Sequence, residues 1–222
     1  MCGRYVLYSN LDDLAEMFSL AKAVTYKPSY NIAPSQLIPV VCSSDENQRS
    51  LVTMHWGLLP AWSKESAKHY SMINARIETV TAKPAFKSAI KKRRCIIVAN
   101  GYYEWKLSKD KVKQPYYFYS PHQPVLAFAG IWEGNLSDNS GDTCAIITIP
   151  AVKQVQAIHD RMPAIMSIED SFKWIDPSLD HVDKLTDMLT SSTTNLTYYP
   201  VSTKINTPRF NQADCIKPLG EV

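Results

Sequence analysis

The 222-residue chain has few glycines and no long apolar run, and each absence excludes a class of protein. Seven glycines stand against 14 prolines, which indicates that many connections between elements have a fixed geometry. No segment approaches the roughly 20 apolar residues that a membrane-spanning helix requires. The opening stretch, MCGRYVLYSNLDDLAEMF, has no continuous apolar core of the secretory kind. We therefore expect a soluble, intracellular protein with no secretion signal and no membrane contact.

The chain also lacks paired cysteines and the common catalytic motifs. Its five cysteines are odd in number and widely spaced, and none belongs to a C-x-x-C pair, which argues against a disulfide framework or a structural zinc site. The H-E-x-x-H, P-loop, G-x-G-x-x-G and G-x-S-x-G patterns are absent. We predict no metal and no cofactor. Cys95 and Cys144 lie in apolar runs and are interpreted as small buried hydrophobes.

What the chain does contain is a series of short strand-like runs, rich in β-branched and aromatic residues and bounded by Pro, Gly, Asn or Asp. These runs are QLIPVVC, SLVTMHWGLLP, CIIVANGYYEW, QPYYFYS, PVLAFAGIWEG and TCAIITIP. Helices are predicted at SNLDDLAEMFSL, where Asn10 suits the N-cap, and at KPAFKSAIKKRR, EDSFKWI and SLDHVDKLTDMLT. The pattern predicts an α+β fold. We expect a single domain over residues 1–222, with a largely antiparallel, barrel-like β core flanked by helices.

The charge balance is mildly basic. A formal charge of +3 and a pI near 8.5 are too small to predict a nucleic-acid partner by themselves. The basic run IKKRR is interpreted as a solvated helix end that complements the helix dipole, in preference to a phosphate contact.

The cysteine at position 2 carries more chemistry than its place in the chain suggests. Removal of Met1 leaves a thiol and a free amine on one residue, with ordinary pKa values of about 8.5 and about 7.7 to 8.0. Such an aminothiol can attack an amide, as in N-terminal nucleophile hydrolases. It can also condense with an aldehyde and close a thiazolidine ring. A third interpretation is that the Cys2 thiol is unreactive and lies in a mobile chain terminus.

Two polar residues stand together in SMINARIETV. On an extended chain Asn74 and Arg76 face the same side, where an amide suits fixing a small polar group and a guanidinium suits gripping a phosphate. The alternative is that Arg76 pairs with Glu78 along the same face of a surface strand.

Two further motifs carry proton-transfer groups. NGYYEW places Glu104 between aromatic residues, where burial would raise its pKa, although an outward-facing glutamate is about equally compatible with the pattern. AIHDRMP presents His159, a candidate proton shuttle, beside Arg161, a candidate phosphate ligand. A lone histidine is more often structural than catalytic, and the remaining histidines are interpreted as structural or surface residues.

Six segments in this order, MCGRY, NIAPSQ, WGLLPAW, INARIET, NGYYEW and IHDRMP, resemble the SOS response-associated peptidase family of abasic-site processing proteins. The matches run from residue 2 to about residue 163, and YPVSTKINTP is similar to the closing segment of that family. The resemblance implies removal of Met1 and a covalent thiazolidine crosslink between Cys2 and the ring-opened abasic sugar in single-stranded DNA. It also implies self-removal of Met1, a lyase side reaction and reversal of the crosslink.

The resemblance assigns roles residue by residue. Asn74 would hold Cys2 and the opened sugar, while Glu104 and His159 would assist proton transfers. The positions implied to contact DNA are Arg4, Arg76 and Arg161, as phosphate ligands, and Pro34 and Trp62, as an apolar wedge. Some relatives carry a second tryptophan where this chain has Ser63, so the size of the wedge differs.

The expected partner is therefore single-stranded DNA that contains abasic sites. We expect a monomer without cofactor, in the cytoplasm or associated with the nucleoid if the source is bacterial. Two other hypotheses stay open. One is an amidase or peptidase of the N-terminal nucleophile or cysteine type, for which Cys2 and His159 could form a papain-like pair. The other is a noncovalent single-strand binding module.

Overall fold

The computed structural model describes residues 2–44, 46–60, 62, 71–107, 113–134, 141–191 and 195–220. These residues form a mixed α+β structure with 14 strands in two sheets. No helix among them is long and apolar enough to cross a membrane. Met1 and Ser63 lie outside the described residues, and the extent of the domain, 1–222, stays a prediction.

The smaller sheet, sheet A, is antiparallel throughout and contains the start of the chain. Its strands in spatial order are β14 (Thr197–Pro200), β9 (Lys113–Tyr119), β8 (Gly101–Leu107), β1 (Tyr5–Leu7) and β3 (Ser29–Ile32). Strand β1 pairs with β8 through Tyr5 and Tyr102, and the Tyr103 amide donates to the Arg4 carbonyl at 2.9 Å. This pairing brings the first residues into the middle of a sheet.

The larger sheet, sheet B, is largely antiparallel and partly closed. Its strands in spatial order are β12 (Arg161–Pro163), β11 (Thr143–Pro150), β10 (Leu126–Glu133), β7 (Arg94–Ala99), β4 (Leu37–Ser43), β5 (Arg49–Trp56) and β2 (Lys22–Ala23). Strand β11 also pairs in parallel with β5 and with β6 (Asn74–Arg76), and β13 (Ile165–Met166) pairs with β10. The additional β11–β5 pairing gives the sheet a ring-like form, in agreement with the predicted barrel-like core.

Short helices flank the sheets. They are α1 (Leu11–Met17), α2 (Pro84–Lys87), α3 (Ala89–Lys92), α4 (Lys153–Gln156), α5 (Ile168–Ile175) and α6 (Val182–Ser191). Asn10 caps α1 as expected, since its side chain accepts from the Asp13 amide at 2.8 Å.

The basic run at the end of α3 contains both exposed and buried residues. Lys91 and Lys92 are exposed, but Arg94 is buried, so the interpretation of the whole run as a solvated helix end is wrong for this residue. Its guanidinium donates to carbonyl groups that include those of Lys91, Asp176 and Leu179, at 2.7 to 2.8 Å. These acceptors compensate the cost of removing the cation from water.

The core lies between the sheets and is rich in aromatic residues. The Tyr5 ring packs edge-on against Trp56 at 5.3 Å, and Tyr102 stacks on Phe118 at 4.9 Å and meets Phe128 at 6.1 Å. Each such pair contributes roughly 0.5 to 1.5 kcal/mol beyond its buried area. Cys95 and Cys144 are fully buried, as predicted.

The other face of sheet A is covered by the C-terminal segment, which Asn31 holds in place. The buried Asn31 amide donates to the carbonyls of Ile205, Thr207 and Phe210 at 3.1, 3.0 and 2.7 Å. Its Oδ1 accepts from Arg4 Nη1 at 2.6 Å. One side chain therefore joins the beginning of the chain to its end.

Replacement of Asn31 by alanine should lower the free energy of unfolding by about 3 kcal/mol, because it leaves several buried polar groups without partners. Urea denaturation measures this loss. Asn211→Ala is the control. Among the described residues, the exposed Asn211 side chain accepts only from Tyr30 and Ser29, so its loss should cost less than about 1 kcal/mol. Equal losses in the two variants would contradict the role given to Asn31.

Candidate functional site

Cys2 is buried at the edge of the core and is held by its main chain. Its carbonyl accepts from Asn74 Nδ2 at 2.8 Å, and its Sγ lies 4.0 Å from the Arg4 carbonyl. Burial, and after it the charge of Glu104, raise the pKa of the Cys2 thiol well above its ordinary value. The thiol is therefore neutral near pH 7. This residue is not the frayed end that its sequence position suggests.

Asn74 lies on β6, which the parallel pairing with β11 places beside Ile146. Its amide nitrogen is engaged by Cys2, but its Oδ1 is buried with no hydrogen-bond partner in the described part of the chain. A buried acceptor left unsatisfied costs roughly 1 to 3 kcal/mol. The Asn74 oxygen is thus available to a donor that enters beside Cys2.

Glu104 lies on β8 and faces the interior. Only 3% of the residue is exposed, so the alternative of an outward-facing glutamate is wrong. Burial raises the pKa of Glu104 above its ordinary value, and the nearby His159 opposes that shift. A carboxyl group with a raised pKa can donate as well as accept a proton near neutral pH.

His159 follows α4 and approaches Glu104, with 3.9 Å between His159 Nε2 and Glu104 Oε2. Its Nδ1 accepts from the Arg161 amide at 2.9 Å, from which we infer that the neutral ring carries its proton on Nε2. The Asp160 carboxylate lies 3.0 Å from Nδ1 and can accept a hydrogen bond from that nitrogen when the ring is charged. Both protonation states of His159 therefore have a partner.

These proton-transfer groups open onto a cavity of about 420 Å³. Glu104 and His159 line it together with Trp105, Lys113 and Asn206. The walls are mixed in polarity, with an ammonium, an amide and an indole ring beside the acid–base pair. A small polar substrate therefore has access to the interior groups from solvent.

The arginines near the site differ in the hydrogen bonds and ion pairs that their guanidinium groups make. Arg76 is exposed, and within the described residues its guanidinium makes no hydrogen bond and no ion pair. Arg161 instead forms a bidentate pair with Glu78, at 2.5 and 3.1 Å, and donates to the Thr148 carbonyl at 2.6 Å. The alternative pairing of Arg76 with Glu78 is replaced by this one, which lowers the pKa of Glu78.

Arg4 points away from the acid–base pair. Strand alternation places its side chain on the same face of sheet A as Trp105, and its guanidinium lies 5.9 Å from the center of that ring. Its Nη1 donates to Asn31 Oδ1 at 2.6 Å and to the Ile205 carbonyl at 2.7 Å. The structure does not bring this cation to Asn74, and a phosphate contact by Arg4 stays a prediction.

The two wedge positions lie on separate loops. Trp62 is 71% exposed, which is unusual for a tryptophan in a chain with a large core. Pro34 is half-buried and precedes Ser35, whose φ of 70° belongs to the left-handed region. An apolar ring and a rigid turn therefore face solvent, and their contact with DNA stays a prediction.

Two contributors to the site were missed in the sequence. Thr148 holds Arg161, but its place in the apolar run AIITIP indicates only a buried strand. Asp160 contacts the His159 ring, and its position next to His159 in AIHDRMP was the available signal.

The family model for SOS response associated peptidase (SRAP) matches residues 1–208. The chain belongs to the SRAP family. Among the curated relatives of this SRAP protein, the Bacillus subtilis (strain 168) "Abasic site processing protein YoaM" is 38% identical over 223 residues, which cover 97% of each chain. The Xenopus tropicalis "Abasic site processing protein HMCES" is 34% identical, over 87% of this chain and 67% of its own.

The SRAP fold is also found among solved structures. A crystal structure of a Bacteroides thetaiotaomicron protein is 26% identical and covers 98% of this chain and 99% of its own, with a TM-score of 0.85. A phage-related protein from Bordetella bronchiseptica is 28% identical, over 90% and 94% of the two chains, with a TM-score of 0.74. The predicted α+β fold class is therefore confirmed.

Replacement of Glu104 by glutamine should raise the free energy of unfolding at pH 7. Because the pKa of Glu104 is raised on folding, the folded chain keeps this proton to higher pH than the unfolded chain does. Stability is therefore lost as pH rises from the ordinary value of 4.5 through the raised one. Denaturant melts should show the gain of the variant at pH 7 and its disappearance at about pH 4.

Glu133→Gln is the matched control, because Glu133 is also buried but accepts from Arg93 at 2.5 Å. This variant should be destabilised at pH 7, since it loses a charge-assisted hydrogen bond. A Glu104→Gln variant that is destabilised to the same extent would contradict the assignment of a desolvated carboxyl group.

Proposed function

We propose that this protein handles abasic sites in single-stranded DNA, and that it does so through a covalent thiazolidine crosslink at Cys2. The observation that carries the proposal is the placement of Cys2 and Asn74 close to an acid–base pair, the buried Glu104 and the half-buried His159, that opens onto a cavity. The names of the curated relatives, abasic site processing proteins, support the choice of substrate.

The reaction begins once Met1 is removed and the Cys2 amine is free. Water accepts the proton of the C1′ hydroxyl while His159, in its charged form, donates its Nε2 proton to the ring oxygen of the deoxyribose, and the sugar opens to the aldehyde. The amine attacks C1′ and forms a carbinolamine. Glu104, whose pKa is raised by burial, donates a proton to the carbinolamine hydroxyl, and water leaves to give the iminium.

Ring closure follows from the same groups. The positive iminium lowers the pKa of the adjacent thiol, which burial and the charge of Glu104 had raised. Glu104, now a carboxylate, accepts the thiol proton, and Sγ adds to C1′ to give the thiazolidine. The net change is one C–N bond, one C–S bond and one water released. The Asn74 oxygen accepts from the amine and orients its attack.

Capture by sulfur protects the strand. A Schiff base at C1′ acidifies the C2′ protons and permits β-elimination, which cuts the DNA. Addition of Sγ removes the C=N bond and suppresses that lyase reaction. Reversal of these steps, with Glu104 as the proton donor, releases the DNA. Self-removal of Met1 by the same groups is part of the proposal.

DNA binding is proposed to be independent of sequence. Arg76 is the phosphate ligand best supported by the structure, because its exposed guanidinium makes no hydrogen bond to another described residue and interacts with Glu78 only through its charge. Arg4 and Arg161 are proposed to contribute positive potential from their structural positions, and Pro34 with Trp62 to separate bases beside the lesion. We propose a monomer that acts in the cytoplasm or at the nucleoid.

Replacement of Cys2 by alanine should abolish the stable adduct while it leaves an N-terminal amine. We expect more than about a hundredfold less heat-stable product, with strand nicking in its place, because the amine still forms a Schiff base. Intact mass spectrometry before and after incubation with abasic single-stranded DNA reports both the loss of Met1 and the adduct. Denaturing gels report nicking.

Cys42→Ala is the control, since this half-buried thiol lies on β4 and its loss should leave the adduct yield unchanged. A full yield of heat-stable adduct from Cys2→Ala would refute the thiazolidine. Turnover of an amide substrate without any DNA adduct would favour the amidase hypothesis instead.

Replacement of Arg76 by alanine should weaken binding to all single strands alike and reduce the slope of log K against log salt by roughly 1. Binding is measured with Cys2→Ser protein at several salt concentrations. Arg209→Ala, which removes an exposed cation from the C-terminal segment, should leave the slope within error. An unchanged slope in Arg76→Ala would exclude a phosphate contact by this residue.

A further inference from the structure

A second cavity, of about 290 Å³, lies among the loops that connect sheet B to β6. We call it the loop cavity, and its lining includes Ser35, His55, Trp56, Leu59, Ser71 and Thr143. Its volume is near the lower end of the range for small-molecule sites. It is separate from the Glu104–His159 cavity, with which it shares no lining residue.

The loop cavity is close to Cys2 because one wall serves both. Trp56 lines the cavity, and its ring packs on Tyr5 at 5.3 Å and donates from Nε1 to the Ile73 carbonyl at 3.0 Å. The next residue, Asn74, binds the Cys2 carbonyl. From Ser71 to Asn74 the chain advances three residues, or about 10 Å when extended. A groove for single-stranded nucleic acid covers several nucleotides, so a strand bound at Cys2 is long enough to reach a cavity at this distance.

The lining favours a neutral, flat ligand with polar edges. None of the described residues that line the cavity is Lys, Arg, Asp or Glu. The Ser35 and Ser71 hydroxyls make no hydrogen bond to any described residue, whereas the Thr143 hydroxyl already accepts from the Leu59 amide at 3.0 Å. Serine hydroxyls both donate and accept, so they pair with the edge of any base.

The backbone around the cavity has conformations that let two loops approach each other closely. Ser35 and Gly57 have φ values of 70° and 143°, both in the left-handed region. A Cβ at Gly57 would lie 2.8 Å from Ser71 Cβ, so only glycine lets these two loops meet. Such conformations persist where the surrounding structure imposes them, and they cluster at ligand sites.

Both wedge positions lie near lining residues of the loop cavity along the chain. Pro34 immediately precedes Ser35, and the exposed Trp62 follows Leu59 by three residues. A wedge that separates stacked bases leaves a base that needs new contacts. The loop cavity offers such a base the half-buried His55 ring and the Ser35 and Ser71 hydroxyls.

We propose that the loop cavity binds one unstacked nucleobase of the same DNA strand, next to the nucleotide that is crosslinked to Cys2. The proposal rests on the proposed function, because it takes the strand at Cys2 as given. Binding of the base anchors the strand beside the lesion without reading its sequence. The cavity thus supplies affinity, while Cys2, Glu104 and His159 supply the chemistry.

The test is a spacer scan with the unaltered protein. Single strands with one abasic site carry a tetrahydrofuran spacer, which cannot open to an aldehyde, in place of one nucleotide at successive positions on either side. Rates of crosslinking are measured against protein concentration. At one position only, loss of the base should raise the half-saturating concentration roughly tenfold, while the limiting rate stays the same.

A protein variant identifies where that base binds. Ser71→Leu fills the cavity from its wall, so it should weaken binding of the intact strand and be insensitive to the spacer at the critical position. Ser50→Leu is the matched control, because Ser50 lies at the opposite end of β5 from His55 and should behave as the unaltered protein does. Circular dichroism and thermal melts check that both variants fold.

Two outcomes would overturn the proposal and leave the proposed function intact. One is a scan in which every strand crosslinks with the same half-saturating concentration. The other is a Ser71→Leu variant that responds to the spacer as strongly as the unaltered protein does, which places the base elsewhere. Absence of any adduct in the mass spectrum, with every strand, would instead refute the crosslink itself and the subsite with it.

Discussion

The antiparallel pairing of the first strand with β8 is the constraint on which the site depends. The Tyr103 amide binds the Arg4 carbonyl, and Tyr5 lies opposite Tyr102, so residues that begin the chain become part of a central sheet. Chain ends are usually mobile because they bury little surface. Here the Tyr5 ring is fully buried between the sheets, and the Asn74 amide holds the Cys2 carbonyl. Cys2 is therefore pre-positioned, which reduces the entropy lost when a substrate reacts.

Burial also sets the order of the chemistry. The interior raises the pKa values of both the Cys2 thiol and Glu104, so the thiol is a poor nucleophile until a positive charge forms beside it. In the proposed reaction the amine therefore attacks first and the sulfur second. His159 is held differently, with the Arg161 amide for its neutral form and the Asp160 carboxylate for its charged form. In that proposal, an interior acid and a rim histidine divide the proton transfers by their surroundings.

The three arginines of the site show that residue type alone does not determine the role of a side chain. Arg4, Arg76 and Arg161 are equivalent as letters in the sequence, and each was expected to bind phosphate. In the structure Arg4 joins the two ends of the chain through Asn31, Arg161 is bound to Glu78 and Thr148, and Arg76 alone projects freely from the described part of the chain. Partners that are distant in sequence made this difference, since Arg4 and Ile205 are about as far apart as the chain allows.

Local sequence determined much of this protein. Short β-branched runs predicted the strands, apolar context predicted burial of Cys95 and Cys144, and the proposed aminothiol at Cys2 follows from covalent chemistry once Met1 is removed. Those properties depend on neighbouring residues or on the residue itself. The approach of Glu104 to His159, the orphaned oxygen of Asn74 and the loop cavity behind Trp56 were decided only by the tertiary structure. They depend on strand register and on which loops meet, and such long-range pairings leave no signal in any single segment.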